Sequence, residues 1–303
     1  MKKSLIALAV LAASGVAMAQ SSVTLYGIAD VVIHKDDGVS TQFTSGGFST
    51  SRFGFKGTED LGGGLAANFQ FEQGIDLGNG AGGTFNRQAW VGFSGGFGEV
   101  KLGNTTTPYD DVATASGAGF DSNVFDSTDI MFTQDAYTGR PGSLLYYGTP
   151  EFGGFSAAVS YSLNTGRNDY TSFRVSYAGG PVTVNLAYQD ESDVNSEKYT
   201  VLNGSYDFGV AKLLAAYGTT STADTDEYSI AIEAPLSASI TASLGYAVSD
   251  TAGETRASGF SGAVSYSLSK RTNVYAGFRN DKGAGFGSTV VESRYGVGVR
   301  HIF

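Results

Sequence analysis

The chain of 303 residues has no cysteine, two histidines, five prolines and one tryptophan. The missing cysteine excludes disulfides, zinc–thiolate sites and thiol nucleophiles together. Beyond residue 19 no apolar run approaches the eighteen or so residues that a transmembrane helix needs, so a membrane protein made from this chain cannot be helical. Basic residues are scarce, with 19 Lys and Arg against 29 Asp and Glu. A nucleic-acid partner is therefore not expected, because phosphate binding needs a basic face.

The first nineteen residues read as an export signal. Met1-Lys2-Lys3 is positive, Leu5 to Val16 is apolar but too short and Ala-rich to span a bilayer, and Ala17-Met18-Ala19 has the small-x-small pattern of a signal-peptidase site. Cleavage after Ala19 leaves residues 20–303 as one domain with 17 basic and 29 acidic residues, a net charge of −12.

What is abundant is glycine (43), phenylalanine (20) and tyrosine (17), at a mean hydropathy near zero. Residues 155–163 (FSAAVSYSL), 182–189 (VTVNLAYQ), 240–248 (ITASLGYAV) and 272–279 (TNVYAGFR) alternate apolar with small or polar side chains. That period of two is a strand with a different solvent on each face. With weaker segments added, sixteen strands are expected: 22–33, 50–58, 65–75, 84–94, 98–104, 143–149, 155–163, 169–177, 182–189, 197–206, 211–219, 226–234, 240–248, 255–268, 272–279 and 293–303. Connections after even-numbered strands are tight, such as Asp60–Gly64 and Ser269–Arg271. Those after odd-numbered strands tend to be longer and polar, such as 34–49 and 280–290. Short turns on one rim and long loops on the other describe an all-β transmembrane antiparallel barrel of the Gram-negative outer membrane.

The chain closes on Ser293 to Phe303, where Tyr295, Val297, Val299, His301 and Phe303 share one face and Arg294, Gly296, Gly298 and Arg300 the other. The closing strand of a barrel has to show lipid one face and water the other. Tyr295, Val297, Val299 and Phe303 are therefore the candidate closure and assembly signal. Tyr161, Tyr177, Tyr188, Tyr217, Tyr246, Tyr266 and Trp90 fall near strand ends, where amphipathic rings sit at membrane interfaces.

Seven blocks, in order along the chain, resemble the Gram-negative general diffusion porins of the neisserial type: Val23–Gly27, Ser51–Gly62, Asn86–Phe93, Phe97–Gly103, Pro150–Phe155, Tyr206–Gly209 and Val299–Phe303. The resemblance implies a sixteen-stranded homotrimer in outer-membrane lipid, placed by the barrel-insertion machinery, passing ions and small hydrophilic solutes passively. A substrate-specific outer-membrane channel is the alternative. Two departures stand out: Asn104 where the family often has Arg, and Ser143-Leu144 where it commonly has Asn-Ser.

The longest connection, residues 105–142, is read as a structureless loop folded into the lumen, since long loops in compact proteins are usually functional and a sixteen-stranded barrel is otherwise wide. From Thr105 to Gly139 it carries Asp110, Asp111, Asp121, Asp126, Asp129 and Asp135 with no Lys or Arg. Wall cations should face it, with Arg52, Lys56, Arg140, Arg174 and Arg279 as candidates. The resemblance adds Arg87 and Glu72 to Arg52 and Arg140, although strict alternation puts Arg87 on the face of Ala89, Val91 and Phe93. The constriction expected is Arg52, Glu72, Arg87, Asp110, Asp111, Asp121 and Arg140. The net charge, the acidic loop and Asn104 lead to an expected weak cation preference.

An enzyme is not expected. His34 follows the first, outward-running strand and His301 ends the last, inward-running one, so they fall at opposite rims and no site holds both. No cofactor and no metal are expected, as neither Asp110-Asp111 nor residues 222–227 has the spacing of a calcium loop.

Overall fold

The computed structural model describes residues 22–116, 122–126, 137–163, 169–222, 224–251, 254–283 and 293–303. The expected export signal, 1–19, lies outside them. In chain order the strands are β1 (Ser22–Asp36), β2 (Gln42–Ser45), β3 (Arg52–Gly62), β4 (Leu65–Gly74), β5 (Gln88–Gly95), β6 (Gly98–Asn104), β7 (Leu144–Gly148), β8 (Phe155–Ser162) and β9 (Thr171–Gly179). They continue with β10 (Val182–Glu191), β11 (Glu197–Asp207), β12 (Lys212–Thr220), β13 (Thr225–Pro235), β14 (Ile240–Thr251), β15 (Glu254–Ser267), β16 (Thr272–Gly283) and β17 (Arg294–Ile302). Among the described residues one short helix, α1 (Pro108–Ala113), interrupts them between β6 and β7.

From β3 onward each strand pairs antiparallel with the next, and β17 returns to β1 over Ile28↔Ile302 to Asp36↔Arg294. The sheet is a closed sixteen-strand barrel, to which β2 is a four-residue addition. Closure leaves no sheet edge unpaired, which is what allows a sheet to sit in lipid. β1 is shared: its first half pairs with β3 (Ser22↔Thr58 to Ile28↔Arg52), and further along the same edge pairs with β2 (Val31↔Ser45 to His34↔Gln42). The connection expected at 34–49 is therefore partly a strand, which alternation over four residues cannot announce.

The sixteen expected strands match the observed ones to within a few residues at each end. Outward positions are apolar and exposed, as in Val23, Leu25, Val159, Val175, Leu186, Ile230, Leu244, Phe260, Val297 and Val299. Inward positions are small or polar, as in Ser160, Ser172, Asn203, Ser229, Ser243 and Ser261. The β3–β4 turn shows why the short rim is glycine-rich. Gly62, Gly63 and Gly64 all have positive φ, at 85°, 64° and 82°, a backbone that side chains with a Cβ resist.

The apolar core is not inside a sandwich of layers but inside the lumen, in two clusters where the 105–142 connection meets the wall. One joins Tyr109, Val112 and Ala113 to Ala187, Tyr199, Val201, Ala216, Ala247 and Ala257. The other joins Val124 and Phe125 to Val32, Phe48, Ala263 and Tyr275. No helix among the described residues is long and apolar enough to cross a membrane.

Candidate pore constriction

The long connection is not structureless, because α1 and a 3-10 turn (Thr114–Ser116) occupy its first third. Thr107 caps the helix by accepting from the Asp110 amide, Pro108 stands in the first turn, and Asp110 and Asp111 sit at its positive end. Thr-Pro-Tyr-Asp-Asp is thus a helix-start signal that a search for period-two segments passes over. The helix is sewn to the wall through polar groups as well as through its apolar side. The Tyr109 amide donates to Ser172 Oγ at 2.9 Å, and Asn203 Nδ2 donates to the Val112 carbonyl at 2.7 Å. At the other end of the connection, the Thr138 amide donates to Glu191 Oε1 at 2.6 Å and Gln189 Nε2 to the Thr138 carbonyl at 3.0 Å. A bond from the Thr107 amide to the Gly139 carbonyl, 2.9 Å, ties the two ends together.

Around this root the charges form one linked group. Glu72, buried on the inward face of β4, receives Arg87 Nε at 2.7 Å on Oε1, with Arg52 Nε at 3.6 Å and the Tyr26 hydroxyl at 3.0 Å on Oε2. Arg140 Nη2 stands 3.7 Å from Asp110 Oδ2, and the Tyr137 hydroxyl donates to Asp110 Oδ1 at 3.1 Å. Arg174 Nε is 3.8 Å from Asp111 Oδ2. Arg52 lies within electrostatic reach of Arg87 and Arg140, and Asp110 of Arg87. Burial pushes the Asp110 carboxyl above the usual carboxylate range, against the opposing pull of Arg140 and of the Tyr137 hydroxyl. Burial likewise raises the hydroxyls of Tyr109 and Tyr137, which stay neutral.

Of the expected constriction residues, Arg52, Glu72, Arg87, Asp110 and Arg140 come together in this group, and Asp111 adjoins it through Arg174. Asp121 lies outside the described residues, as do Asp129 and Asp135. Asp126 is buried. Arg87 escapes the outward face because β5 begins only at Gln88. Its amide bonds the Glu72 carbonyl at 3.2 Å, so the side chain follows β4 inward rather than the pleat of β5. Asn104, which stands where the family often has Arg, donates to the Asn86 carbonyl at 3.2 Å beside Arg87.

Trp90 is a correction. It faces the lumen rather than the membrane interface, with Lys101 Nζ 5.2 Å from its ring centroid and 4.7 Å from that of Tyr146. On β5 the outward positions are Val91 and Phe93, so simple alternation already places Trp90 inward. The expectation of a rim position overrode that parity. Tyr161, Tyr217, Tyr246 and Tyr266 do face outward. Missed altogether were Lys101, Tyr26, Tyr137 and Glu99. Lys101 pairs with Glu99 at 2.9 Å and lies within electrostatic reach of Asp111. Its signal was its place on the polar face of β6.

A closed antiparallel barrel with an apolar outside, a polar inside and a charged loop folded across its lumen is a water-filled transmembrane channel, and it holds no constellation for bond-making chemistry among the described residues. A family model described as Gram-negative porin matches residues 5–285, and the chain belongs to that family. It is 37% identical to outer membrane porin protein 32 of Delftia acidovorans over the whole length of both chains. It is 32% identical to the major outer membrane protein P.IB of Neisseria meningitidis over 66% of this chain and 64% of that one. Among solved structures, the anion-selective porin from Comamonas acidovorans superposes with a TM-score of 0.79 at 30% identity, covering 94% of this chain and all of that one. The protein is an outer-membrane general diffusion porin, a passive channel and not an enzyme.

Proposed function

We infer that the pore narrows where α1 faces Arg52, Glu72, Arg87 and Arg140, and that it prefers anions. One observation carries the sign. Among the described residues the linked group holds six cations, Arg52, Lys56, Arg87, Lys101, Arg140 and Arg174, and four carboxylates, Glu72, Glu99, Asp110 and Asp111. The weak cation preference expected from the sequence weighed the net charge, the six loop aspartates and Asn104 above the wall cations, but ions respond to the charges within a Debye length of their path, about 8 Å at physiological ionic strength. Asp30, Asp36 and Glu191 belong to that total and are occupied elsewhere, by backbone amides, by Arg294 and by the root of the long connection.

One further observation supports the reading. The structurally similar porin from Comamonas acidovorans is anion-selective. We also infer a homotrimer inserted by the outer-membrane assembly machinery after cleavage at Ala19. An apolar outward patch of Val31, Ile33, Phe43, Val264, Val274, Val297 and Val299 is one face suited to pack between copies.

The deciding experiment is the reversal potential of purified channels in a planar bilayer under a potassium chloride gradient at low salt. Chloride-favouring potentials that fade as salt rises are expected. Potassium-favouring potentials overturn the anion reading, and currents that saturate with one solute move it to a substrate-specific channel.

A further inference from the structure

We propose that Asp30 positions the constriction, acting through a strap of residues 46–49 that pins the tip of the long connection to the wall opposite its root. This rests on the reading that residues 105–142 narrow the pore.

Asp30 lies on the inward face of β1 and is fully buried. No Lys, Arg or His stands within ion-pair distance of it among the described residues. A buried carboxylate left in that state costs several kcal/mol unless hydrogen bonds replace its water. Here the bonds come from the strap. The amides of Gly47, Phe48 and Ser49 donate to its two oxygens at 3.2, 3.0 and 2.8 Å, and the Tyr275 hydroxyl on β16 donates to Oδ1. The Gly46 amide donates to the Asp30 carbonyl at 2.7 Å, and Ser51 brackets the same residue at its amide and its carbonyl. Three successive amides aimed at one carboxylate fix the path of the strap, and only an ionised acid satisfies them all.

The strap in turn holds the tip. Ser122 Oγ and the Val124 amide donate to the Gly47 carbonyl at 2.9 and 3.2 Å, and Asn123 Nδ2 donates to the Gly46 carbonyl at 3.0 Å. Behind these bonds Phe48 stacks on Tyr275 with ring centroids 3.7 Å apart, and Phe125 meets the same ring edge-on. Two glycines make the stacking fit, since a Cβ on Gly47 or on Gly298 would lie within about 2.2 Å of the Tyr275 phenol. The constriction loop is therefore held at two places: its root by β9, β10 and β11, and residues 122–126 by the hydrogen bonds of the strap, by Phe125 against Tyr275, and by Arg294 Nη1 of β17, which donates to the Val124 carbonyl at 3.3 Å. The strap meets the closing strand only through the side chain of Arg300, which donates to Ser49 Oγ at 3.1 Å and lies over the Phe48 ring, and takes no part in the β1–β17 ladder, so loosening it moves the tip and leaves the sheet paired.

The test uses the full-length protein from outer membranes, with Asp30→Asn, Tyr275→Phe and, leaving the wall untouched, Ser122→Ala/Asn123→Ala. For Asp30→Asn and the double variant we expect unchanged heat-modifiable mobility of the barrel, noisier open-channel current and a roughly 1.5-fold rise in unit conductance, as a loosened narrowest ring gives. The absence of native cysteine allows a rescue arm. Thr50→Cys with Asn123→Cys, where the native side chains already approach to 3.3 Å, joined by a short bifunctional thiol reagent on the Asp30→Asn background, should return conductance to the wild-type value. An Asp110→Asn channel run alongside tests the constriction reading itself. If Asp110→Asn shifts the reversal potential while the Asp30 and Ser122/Asn123 variants conduct as wild type, the strap proposal is overturned alone. If Asp110→Asn also changes nothing, the constriction reading goes with it.

Discussion

Arg87 Nε lies 2.7 Å from Oε1 of Glu72, joining the residue just ahead of β5 to the inward face of β4. The pair fixes one guanidinium of the linked group and draws Arg52 to the opposite oxygen of the same carboxylate. One buried acid therefore spaces two cations that would otherwise repel each other across the lumen wall.

Replacing Glu72 by Gln removes the only carboxylate in ion-pair contact with Arg52 and Arg87 among the described residues. A single charge about 5 Å from the ion path is on the order of 0.8 kcal/mol in water-like dielectric, about fourfold for one ion and, because it acts oppositely on chloride and potassium, up to about sixteenfold in their permeability ratio. Glu72→Gln should shift the reversal potential toward chloride by that order at low salt, and by less as salt rises. An unchanged potential would place the Arg52–Glu72–Arg87 group away from the ion path.

Arg52→Gln with Arg140→Gln should do the reverse. Two of the six linked cations are lost and the four carboxylates remain, so the local excess of positive charge disappears. Bilayer measurements in a potassium chloride gradient should show a channel close to non-selective, or one that favours potassium.

Asp110 makes selectivity depend on pH in a definite direction. Burial raises its pKa, so as pH falls it takes up a proton earlier than a free carboxylate does. Protonation removes a negative charge facing Arg140, so anion preference should rise on mild acidification, ahead of the range where ordinary carboxylates titrate. Asp110→Asn should show the higher anion preference already at neutral pH and a smaller early step, the remainder belonging to Asp111, whose carboxyl burial also raises. A wild-type potential flat down to the ordinary carboxylate range would contradict it.

Phe303 completes the closure. Its amide and carbonyl exchange hydrogen bonds with Gly27, both at 3.0 Å, and its ring lies across that glycine, where a Cβ would come within 2.4 Å of the ring. Deleting Phe303 should lower the yield of heat-modifiable barrel in outer-membrane fractions while export continues. Gly27→Val should do likewise by displacing the ring. Undiminished yield in both would show that closure rests on the remaining β1–β17 ladder.

Assembly has a simple measurement. Mass determination of the purified protein in mild detergent should give three copies of the chain, and Val297→Arg with Val299→Glu on the outward patch should reduce that to one. A stable, conducting monomer in the unaltered protein would remove the assigned role of the patch.

How far the sequence reached depends on which physical signal each feature carries. The sixteen barrel strands were legible because every one separates lipid from water, and that boundary forces alternation into the residues themselves. The same rule placed Arg174 and Arg279 inward and marked Tyr295, Val297 and Val299 as outward, whereas Glu72 came from the family resemblance. The absence of cysteine excluded disulfides and thiol chemistry without any geometry. Alternation says nothing about segments that cross no solvent boundary. β2, α1 and the strap at 46–49 carried no period-two signal, although the cap at Thr107 and Pro108 was readable as a helix start. Apolar side chains on the water face, Val32, Tyr199, Val201 and Tyr275, were visible exceptions whose meaning came only when the long connection packed on them. Tertiary structure alone decided which carboxylate meets which guanidinium. Those pairs join residues such as Asp110 and Arg140 or Glu72 and Arg87 through the way a loop and a strand end turn inward, and the local sign of charge depends on that pairing rather than on the total of −12.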